Sequence, residues 1–482
     1  MGRSPSAKEC LSAARAAAAA ADPAGLRALG LLPSNDMFVP VVMYPPLTSF
    51  ARVDGERFVA VVRWRDPAHT VLYVHLPQCA TRCTFCHWVT TLSNSPADID
   101  AYLDALIGEM DLWVRRLGRR TFAPRSALIG GGTPTILSPA QLRRLLEALA
   151  QRFDMSRCAQ ISCEAEPATL LGKEGAERLR VLKDMGVHRL SMGVQSFDDA
   201  VLKRMARPHD AREAREAIAA ISRAGFSTAI DLIYGYPGGT LESWGRTLEA
   251  DLESEIDMYQ LYRLRIYPHG DDVAPIKKRY EKSMEVLPSL EETYVMKALG
   301  REMALRRGFS EPLRDFFARG PEHVSLYQRD QLSDLDETLA LGLSARGVID
   351  GRYTVNRKAL PDYYRDVSEG RLPIERGMTL SQDDRRRRLV AGPLKNGGAS
   401  KARFRKEAGC ELEQVFGPVV ATLEEHGLVE QDAETLRLTA RGAWFADETA
   451  MQFYHPSALM FPASQFADGP LSPYRPLQNL PA

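Results

Sequence analysis

Three of the chain's seven cysteines fall in the stretch "YVHLPQCATRCTFCHWVT", residues 73–90, at Cys79, Cys83 and Cys86. Their spacing, C-x3-C-x2-C, admits three kinds of chemistry. Structural zinc wants four ligands, usually as two separated pairs. His75 or His87 would have to complete that set, and His87, directly after Cys86, would strain a tetrahedron. A redox C-x-x-C uses Cys83 and Cys86 and leaves Cys79 unexplained. An iron–sulfur cubane on three thiolates uses all of them and leaves one iron open for a ligand, as catalytic metal sites do. The other cysteines, Cys10, Cys158, Cys163 and Cys410, read as small hydrophobes.

The flanking pattern supplies a scaffold for such a loop. "HTVLYVHLP" is a β-rich apolar run, and "DAYLDALIGEMDLWVRRLG" has helical spacing. "SALIGGG", "QISCEAEP", "HRLSMGVQS", "STAIDLIYG" and "DMYQLYRLRIY" continue the strands, with helical stretches between them. Ser138 followed by Pro139 marks one helix start. Six alternating units between about 70 and 267 predict an α/β fold with a parallel sheet, a partial (β/α)6 barrel rather than a closed one. In such a sheet chemistry collects at the carboxyl ends of the strands. Gly130 to Thr133, Glu164, Gln195 and Asp231 each lie on or just past a strand, so they converge on the barrel mouth beside the cysteine loop.

At this point the chain resembles the radical S-adenosylmethionine (SAM) enzymes, whose signature is C-x3-C-x2-C with an aromatic residue before the last cysteine, here Phe85. It is similar in particular to the oxygen-independent coproporphyrinogen III oxidase branch. "YVHLPQCATRCTFC", "LIGGGTPTIL", "CEAEPATL", "RLSMGVQSFDDAVLKRMARPHD" and "DLIYGYPGGTLESW" follow that branch's motifs in order. "VVMYPPLTSF" resembles its N-terminal segment, and "ERGMTLSQDDRRRRLVAGPL" and "LTARGAWFADETAMQFY" its C-terminal domain. The resemblance implies a [4Fe-4S] cluster on Cys79, Cys83 and Cys86, with SAM chelating the open iron and yielding a 5′-deoxyadenosyl radical. It implies SAM contacts from Tyr73, Gly131, Gly132, Thr133, Glu164, Gln195, Arg207 and Asp231, with Ile233 and Ile266 against adenine. An external electron donor such as flavodoxin or ferredoxin is implied as well.

The chain also departs from the oxidase. Where that branch carries a further cysteine after the triplet, His87 and Trp88 stand here; its Met-Asp-His-Phe-Ala stretch corresponds to residues 309–320 without the histidine, and its Asn-Phe-Gln-Gly-Tyr stretch is not recognisable. Relatives without those features include the class C radical SAM methyltransferases and cyclopropanases, which hold two SAM molecules. The expectation is therefore transfer of a methyl or methylene group to an sp2 carbon of an unsaturated or aromatic small molecule. The alternatives are tetrapyrrole chemistry, by coproporphyrinogen decarboxylation or haem-ring opening, and a non-enzymatic haem chaperone. His87, Trp88 and Tyr262 are the candidate catalytic side chains, with Tyr259, Tyr267 and His269 expected near the same mouth.

Residues 1–69 read as an N-terminal extension, 70–285 as the radical SAM partial barrel and 286–375 as a barrel extension and linker region. Residues 376–455 read as a mostly α-helical, winged-helix-like domain, and 456–482 as a proline-rich tail without regular structure. Arg385 to Arg388 read as a solvated helix segment rather than a nucleic-acid surface, because Lys+Arg and Asp+Glu balance at 62 each. There is no run of about twenty apolar residues to span a membrane. The alanine-rich N-terminus carries Asp22 and arginines, which suits a helix better than a signal peptide, so a cytoplasmic protein is expected.

Overall fold

Every residue of the run Thr70–Leu76 except Tyr73 is buried, as a strand covered on both faces requires. This strand (β1) begins a parallel series in the computed structural model, which describes residues 6–34, 43–62, 69–92, 95–117, 122–252, 255–266 and 287–475. β2 (Ser126–Gly131), β3 (Gln160–Ala165), β4 (Arg189–Gln195), β5 (Ser227–Tyr234) and β6 (Met258–Arg263) follow, each parallel to the one before. Helices α1 (Pro96–Leu117), α2 (Pro139–Arg152), α3 (Gly172–Asp184), α4 (Ala211–Arg223) and α5 (Leu241–Leu252) form the crossovers. The expected partial barrel is therefore observed. Ser138 caps α2 through a reciprocal pair with Gln141, and Pro139 occupies the first helical turn.

A further parallel strand has no counterpart in the six-unit pattern. Glu337–Leu341 (β7) lies parallel to β1 on its free edge, with Leu339 opposite Leu72. Antiparallel strands Arg346–Ile349, Arg352–Asn356 and Ile374–Thr379 continue outward from β7, and Phe316–Ala318 flanks β6, within a 13-stranded sheet. β7 is short and pairs with a strand far back in the chain, so no local periodicity announces it.

The barrel floor is sealed from within. Helix α7 (Leu326–Leu332), after α6 (Leu290–Arg306), receives a hydrogen bond from Ser126 Oγ to Asp330 Oδ2 at 2.8 Å and gives one from Leu326 N to Gln160 Oε1 at 2.9 Å. It places Tyr327 beside Tyr73, with ring centroids 6.1 Å apart. The N-terminal helix Ala7–Ala21 packs on α6 with Cys10, Ala14, Ala18 and Ala21 buried, a small-residue stripe that lets the backbones approach.

Two expectations need correction. Arg387 is 2% exposed, donating to Asp383 and to the Phe453 carbonyl, and Arg388 donates to the Tyr353 hydroxyl and the Leu335 carbonyl. The arginine run lies in helix α8 (Gln382–Lys395), whose turn carries successive residues onto different faces, so part of the run points inward. Residues 456–475 are also held. They form short 3-10 turns, Leu471 is buried, and its amide donates to the Leu29 carbonyl at 2.9 Å. No helix among the described residues is long and apolar enough to cross a membrane.

Candidate active site

The cysteine loop follows β1 and is laced to the end of β2. Gly132 N donates to the Leu76 carbonyl at 2.6 Å and Thr133 N to the Gln78 carbonyl at 2.7 Å, while Cys79 N donates to the Thr91 carbonyl at 2.9 Å. The glycines are needed for this closeness. Gly131 has φ +113°, and a Cβ there would sit 2.5 Å from the His75 ring, while one at Gly132 would sit 2.5 Å from the Gln78 carbonyl. His75 donates from Nε2 to the Val89 carbonyl at 3.3 Å, so Nδ1 accepts the Tyr73 hydroxyl at 2.9 Å. Burial lowers the pKa of His75 to about 4, keeping the ring neutral against the glycine turn.

Burial pushes the Cys79 and Cys86 thiols up to about 11 and 12, so a bound cation would be what holds them as thiolates. Arg207 Nη1 lies 2.9 Å from Cys83 Sγ, and Nη2 donates to the Gly193 carbonyl at 2.6 Å. A buried acid and histidine stand behind that guanidinium. Glu166 Oε1 is 3.6 Å from Arg207 Nη2 and 2.5 Å from His209 Nδ1, and His209 Nε2 donates to the Val194 carbonyl at 3.3 Å.

Deeper in the barrel, Glu164 accepts the Gly131 amide at 2.8 Å, and burial raises its carboxyl to about 7. Asp231 on β5 is raised to about 6 by burial, against the pull of Arg189 and then Arg207. Arg189, fully buried on β4, is lowered to about 10 by desolvation. The site thus holds two carboxyls poised near neutrality around one desolvated cation, the signature of a functional cleft. Gln195 adopts φ +70°, and its buried Oε1 has no hydrogen-bond partner among the described residues, as is also true of Arg207 Nε. Strain and unsatisfied polar atoms at one strand end fit a ligand position.

The three cysteines, Glu164, Glu166, Gln195, Arg207 and Asp231 open on one cavity of about 580 Å³, with Arg189, His75 and His209 behind its wall; the cavity runs to α6, α8 and the short helix α9 (Ala446–Met451). Tyr73, Gly131, Gly132, Thr133, Gln195, Arg207 and Ile233 line it, as do His87, Trp88 and Tyr262. Trp88 is 46% exposed and lies under the Arg346 guanidinium, 5.4 Å from carbon to ring centroid. Tyr262 donates to Gln260 Oε1, and His87 Nε2 donates to the Arg265 carbonyl at 2.9 Å. Ile266 is placed differently: it packs with Phe85, Leu264 and Tyr236 in a buried patch shared with Ile233 and is not on the cavity wall. Tyr259 is a core residue, stacked on Phe317 at 5.3 Å on the outer face of β6. Tyr267 and His269 fall outside the described residues.

Comparison with known proteins matches residues 73–250 to the radical SAM superfamily and 380–445 to the HemN C-terminal domain. The oxygen-independent coproporphyrinogen III oxidase of Escherichia coli K12 is 30% identical over 430 residues, 85% of this chain and 91% of that protein. The chain belongs to the radical SAM family, in its HemN-like branch. The heme chaperone HemW of Lactococcus lactis is 29% identical over 376 residues, covering 77% of this chain and 93% of its own. The crystal structure of coproporphyrinogen III oxidase (HemN) from E. coli superposes with a TM-score of 0.75 at 28% identity, over 86% of this chain and 96% of that one. Neither protein is a methyltransferase, so membership carries radical SAM chemistry and stops short of methyl transfer.

Family membership implies a [4Fe-4S] cluster and SAM, and the residues fit both. Among the described residues no three His, Cys, Asp or Glu side chains close on a single-ion site, whereas thiolates on three separate irons of a cubane must stand apart. Arg207 offers a fixed cation for a carboxylate beside Cys83. Pattern reading singled out Glu164 and Arg207 but not Glu166, His209 or Arg189. The β-strand alternation in "CEAEP" places 164 and 166 on one face, and "RPHD" carries His209 two residues after Arg207, so both signals were present.

Proposed function

We propose that this protein performs 5′-deoxyadenosyl-radical chemistry on a tetrapyrrole. The observation that carries the reading is the cavity joining the three thiols to a far wall to which the HemN-type C-terminal domain contributes α8, in a chain whose relatives act on coproporphyrinogen or carry heme. Its volume lies within the range of small-molecule sites of about 300–1,000 Å³. Trp88, Tyr262 and Trp444 offer flat apolar surface, and Arg263, Lys297, Arg346 and Arg388 place cations around it for peripheral carboxylates.

Cys79, Cys83 and Cys86 would ligate the cluster, which with SAM supplies the radical that abstracts a hydrogen atom. Arg207, braced by Glu166, would hold the amino-acid carboxylate near Cys83. Glu164 and Asp231, raised by burial, can accept or donate hydrogen bonds to hydroxyl groups without introducing two full charges. Tyr262, fixed by Gln260, would present its ring to the substrate. An external one-electron donor is required.

One observation favours a second reading. His87 and Trp88 stand on the wall directly after the cluster cysteines, and methyl or methylene transfer from a second SAM uses the same radical. Anaerobic reconstitution with SAM, dithionite and coproporphyrinogen III separates the readings. The expected result is 5′-deoxyadenosine with a chemically altered tetrapyrrole and no S-adenosylhomocysteine. Equal amounts of S-adenosylhomocysteine and 5′-deoxyadenosine would move the assignment to transfer. Stable haem binding without SAM turnover would move it to a chaperone.

A further inference from the structure

The cations that line the cavity differ in how they are held. Lys395 Nζ lies 2.6 Å from Asp447 Oδ1, Lys297 Nζ 3.2 Å from Asp315 Oδ1, and Arg314 Nη1 2.8 Å from Glu311 Oε1. Arg388, from α8, is held by neutral groups. It donates from Nε to the Tyr353 hydroxyl at 3.0 Å and from Nη2 to the Leu335 carbonyl at 2.9 Å. The Tyr353 hydroxyl donates in turn to the Tyr44 carbonyl at 3.0 Å, which anchors the brace. Arg388 lines the cavity, and its Nη1 makes no ion pair or hydrogen bond among the described residues. A half-buried guanidinium fixed in this way keeps its charge and one edge of its fork for an anion.

Among the described residues that line the cavity, α7, β7, the antiparallel strands beyond β7 and α8 contribute no acid. The lining acids are Glu164, Glu166, Asp231, Asp315, Asp447 and Glu448, from the rest of the barrel and from α9. Strand register places the neighbours of Arg388 on its wall. Tyr353 stands opposite Val348, and Val348 opposite Thr338 on β7, so the three share one sheet face. Arg346, two residues before Val348, is on that face too, and its guanidinium lies 5.4 Å from the Trp88 ring. Thr338 lines the cavity at 1% exposure, and its Oγ1 has no hydrogen-bond partner among the described residues. A buried hydroxyl left unpaired is costly, so one kept at the wall of a chamber calls for a ligand atom.

We propose that Arg388 and Thr338 form the subsite that reads a carboxylate of the substrate, whose acidic edge then lies along this wall toward Arg346. The inference rests on the tetrapyrrole reading above and sharpens it. Carboxylates are read on one side of the chamber, where the HemN-type C-terminal domain enters it through α8. Lys297 and Lys395 already neutralise acids, so a carboxylate set against them would compete with Asp315 and Asp447. The amino-acid carboxylate of a SAM molecule offers the same chemistry as a substrate carboxylate, and the test separates the two.

Coproporphyrin III is compared with its tetracarboxamide, which keeps the ring and its size and removes the charge. Binding to the cluster-reconstituted full chain is measured anaerobically by equilibrium dialysis, with SAM affinity, SAM stoichiometry and iron content measured beside it. The wild type is expected to bind the acid about 10–100-fold more tightly, the range for hydrogen bonds to charged groups. Arg388→Gln should lower affinity for the acid about tenfold, with binding of the amide and of SAM unchanged. Thr338→Val removes only the unpartnered hydroxyl, so the fold should be at least as stable while affinity for the acid falls roughly two- to tenfold. That variant keeps the subsite testable if Arg388→Gln does not fold. Equal binding of acid and amide by the wild type, or an undiminished preference for the acid in either variant, overturns the subsite as assigned and leaves the tetrapyrrole reading standing. No binding of either ligand overturns both. A fall in SAM affinity or stoichiometry in Arg388→Gln overturns the substrate assignment and gives the carboxylate to SAM.

Discussion

The two ends of the cavity are built by different means. At the cysteine end, one short loop supplies all the thiols, and backbone hydrogen bonds from the β2 turn fix its shape, with glycines where side chains would collide. At the far end, Lys395 of α8 pairs with Asp447 of α9 and Lys297 of α6 with Asp315, so ion pairs between separate stretches of chain rather than backbone set the surface. The first arrangement tolerates no change at its centre, and the second can be altered one side chain at a time.

The largest effect tests the rigid end. Cys83→Ser should abolish iron–sulfur absorbance and 5′-deoxyadenosine formation, while the fold remains, because the loop is held by main-chain bonds. A variant that retained the cluster would break the comparison at its root. Gly131→Ala should cost on the order of 1–3 kcal/mol for the positive φ alone, with the collision against His75 adding to it. Thermal unfolding and iron content should fall together. The same substitution at Gly417, helical and with open space around its missing Cβ, should not destabilise.

The pH dependence of the apoprotein sharpens the picture of the barrel interior. Glu164 is raised from 4.5 to about 7, chiefly by burial. A carboxyl raised in this way contributes stability that is present below its unfolded value and lost as pH rises through its folded value. Glu164→Gln should therefore stabilise the fold at pH 8 relative to wild type, by on the order of 1–3 kcal/mol and read as a higher melting temperature, and change it far less at pH 5. An equal shift at both pH values would mean the carboxyl is not desolvated.

The contrast between the ends also explains what was legible in the sequence. The cysteine triplet, the glycine turn, Glu164, Gln195 and Asp231 lie in or follow apolar strands, where local periodicity and the strand-end rule place them together, while Arg207, past the helix after β4, came only through the family resemblance. The barrel's first six strands were readable for the same reason. β7 was not, because its partner is remote in sequence, and neither was the wall bearing Arg388 and Thr338, since nothing local says that α8 and β7 face the cavity. Tyr259 faces the core because a strand pattern gives alternation but not which face carries the ligand, and Ile266, named through the family resemblance, lies past the end of β6 beside Ile233. Methyl transfer was inferred from departures from the oxidase pattern, His87–Trp88 in place of a further cysteine and two altered C-terminal stretches, and the relatives that match give it no support.

The smallest effect concerns the residues that join the strand-end motifs into one device. Arg207 meets Cys83 directly, whereas Glu166 and His209 reach it only through the guanidinium, so His209 is a positioning residue. Arg207→Ala removes the cation and should weaken SAM binding by roughly 100-fold, as loss of a charge-assisted pair does. His209→Leu keeps the cation but frees Glu166 to draw it away from the Gly193 carbonyl and Cys83, and about a tenfold loss is expected. The measurement is SAM affinity by calorimetry on reconstituted protein, at unchanged iron content and melting temperature. Gln at 209 can still donate to Glu166 and to the Val194 carbonyl, so it should recover most of the affinity. If Leu and Gln behave alike, His209 only fills space, and the ordered strand end would be set by backbone alone.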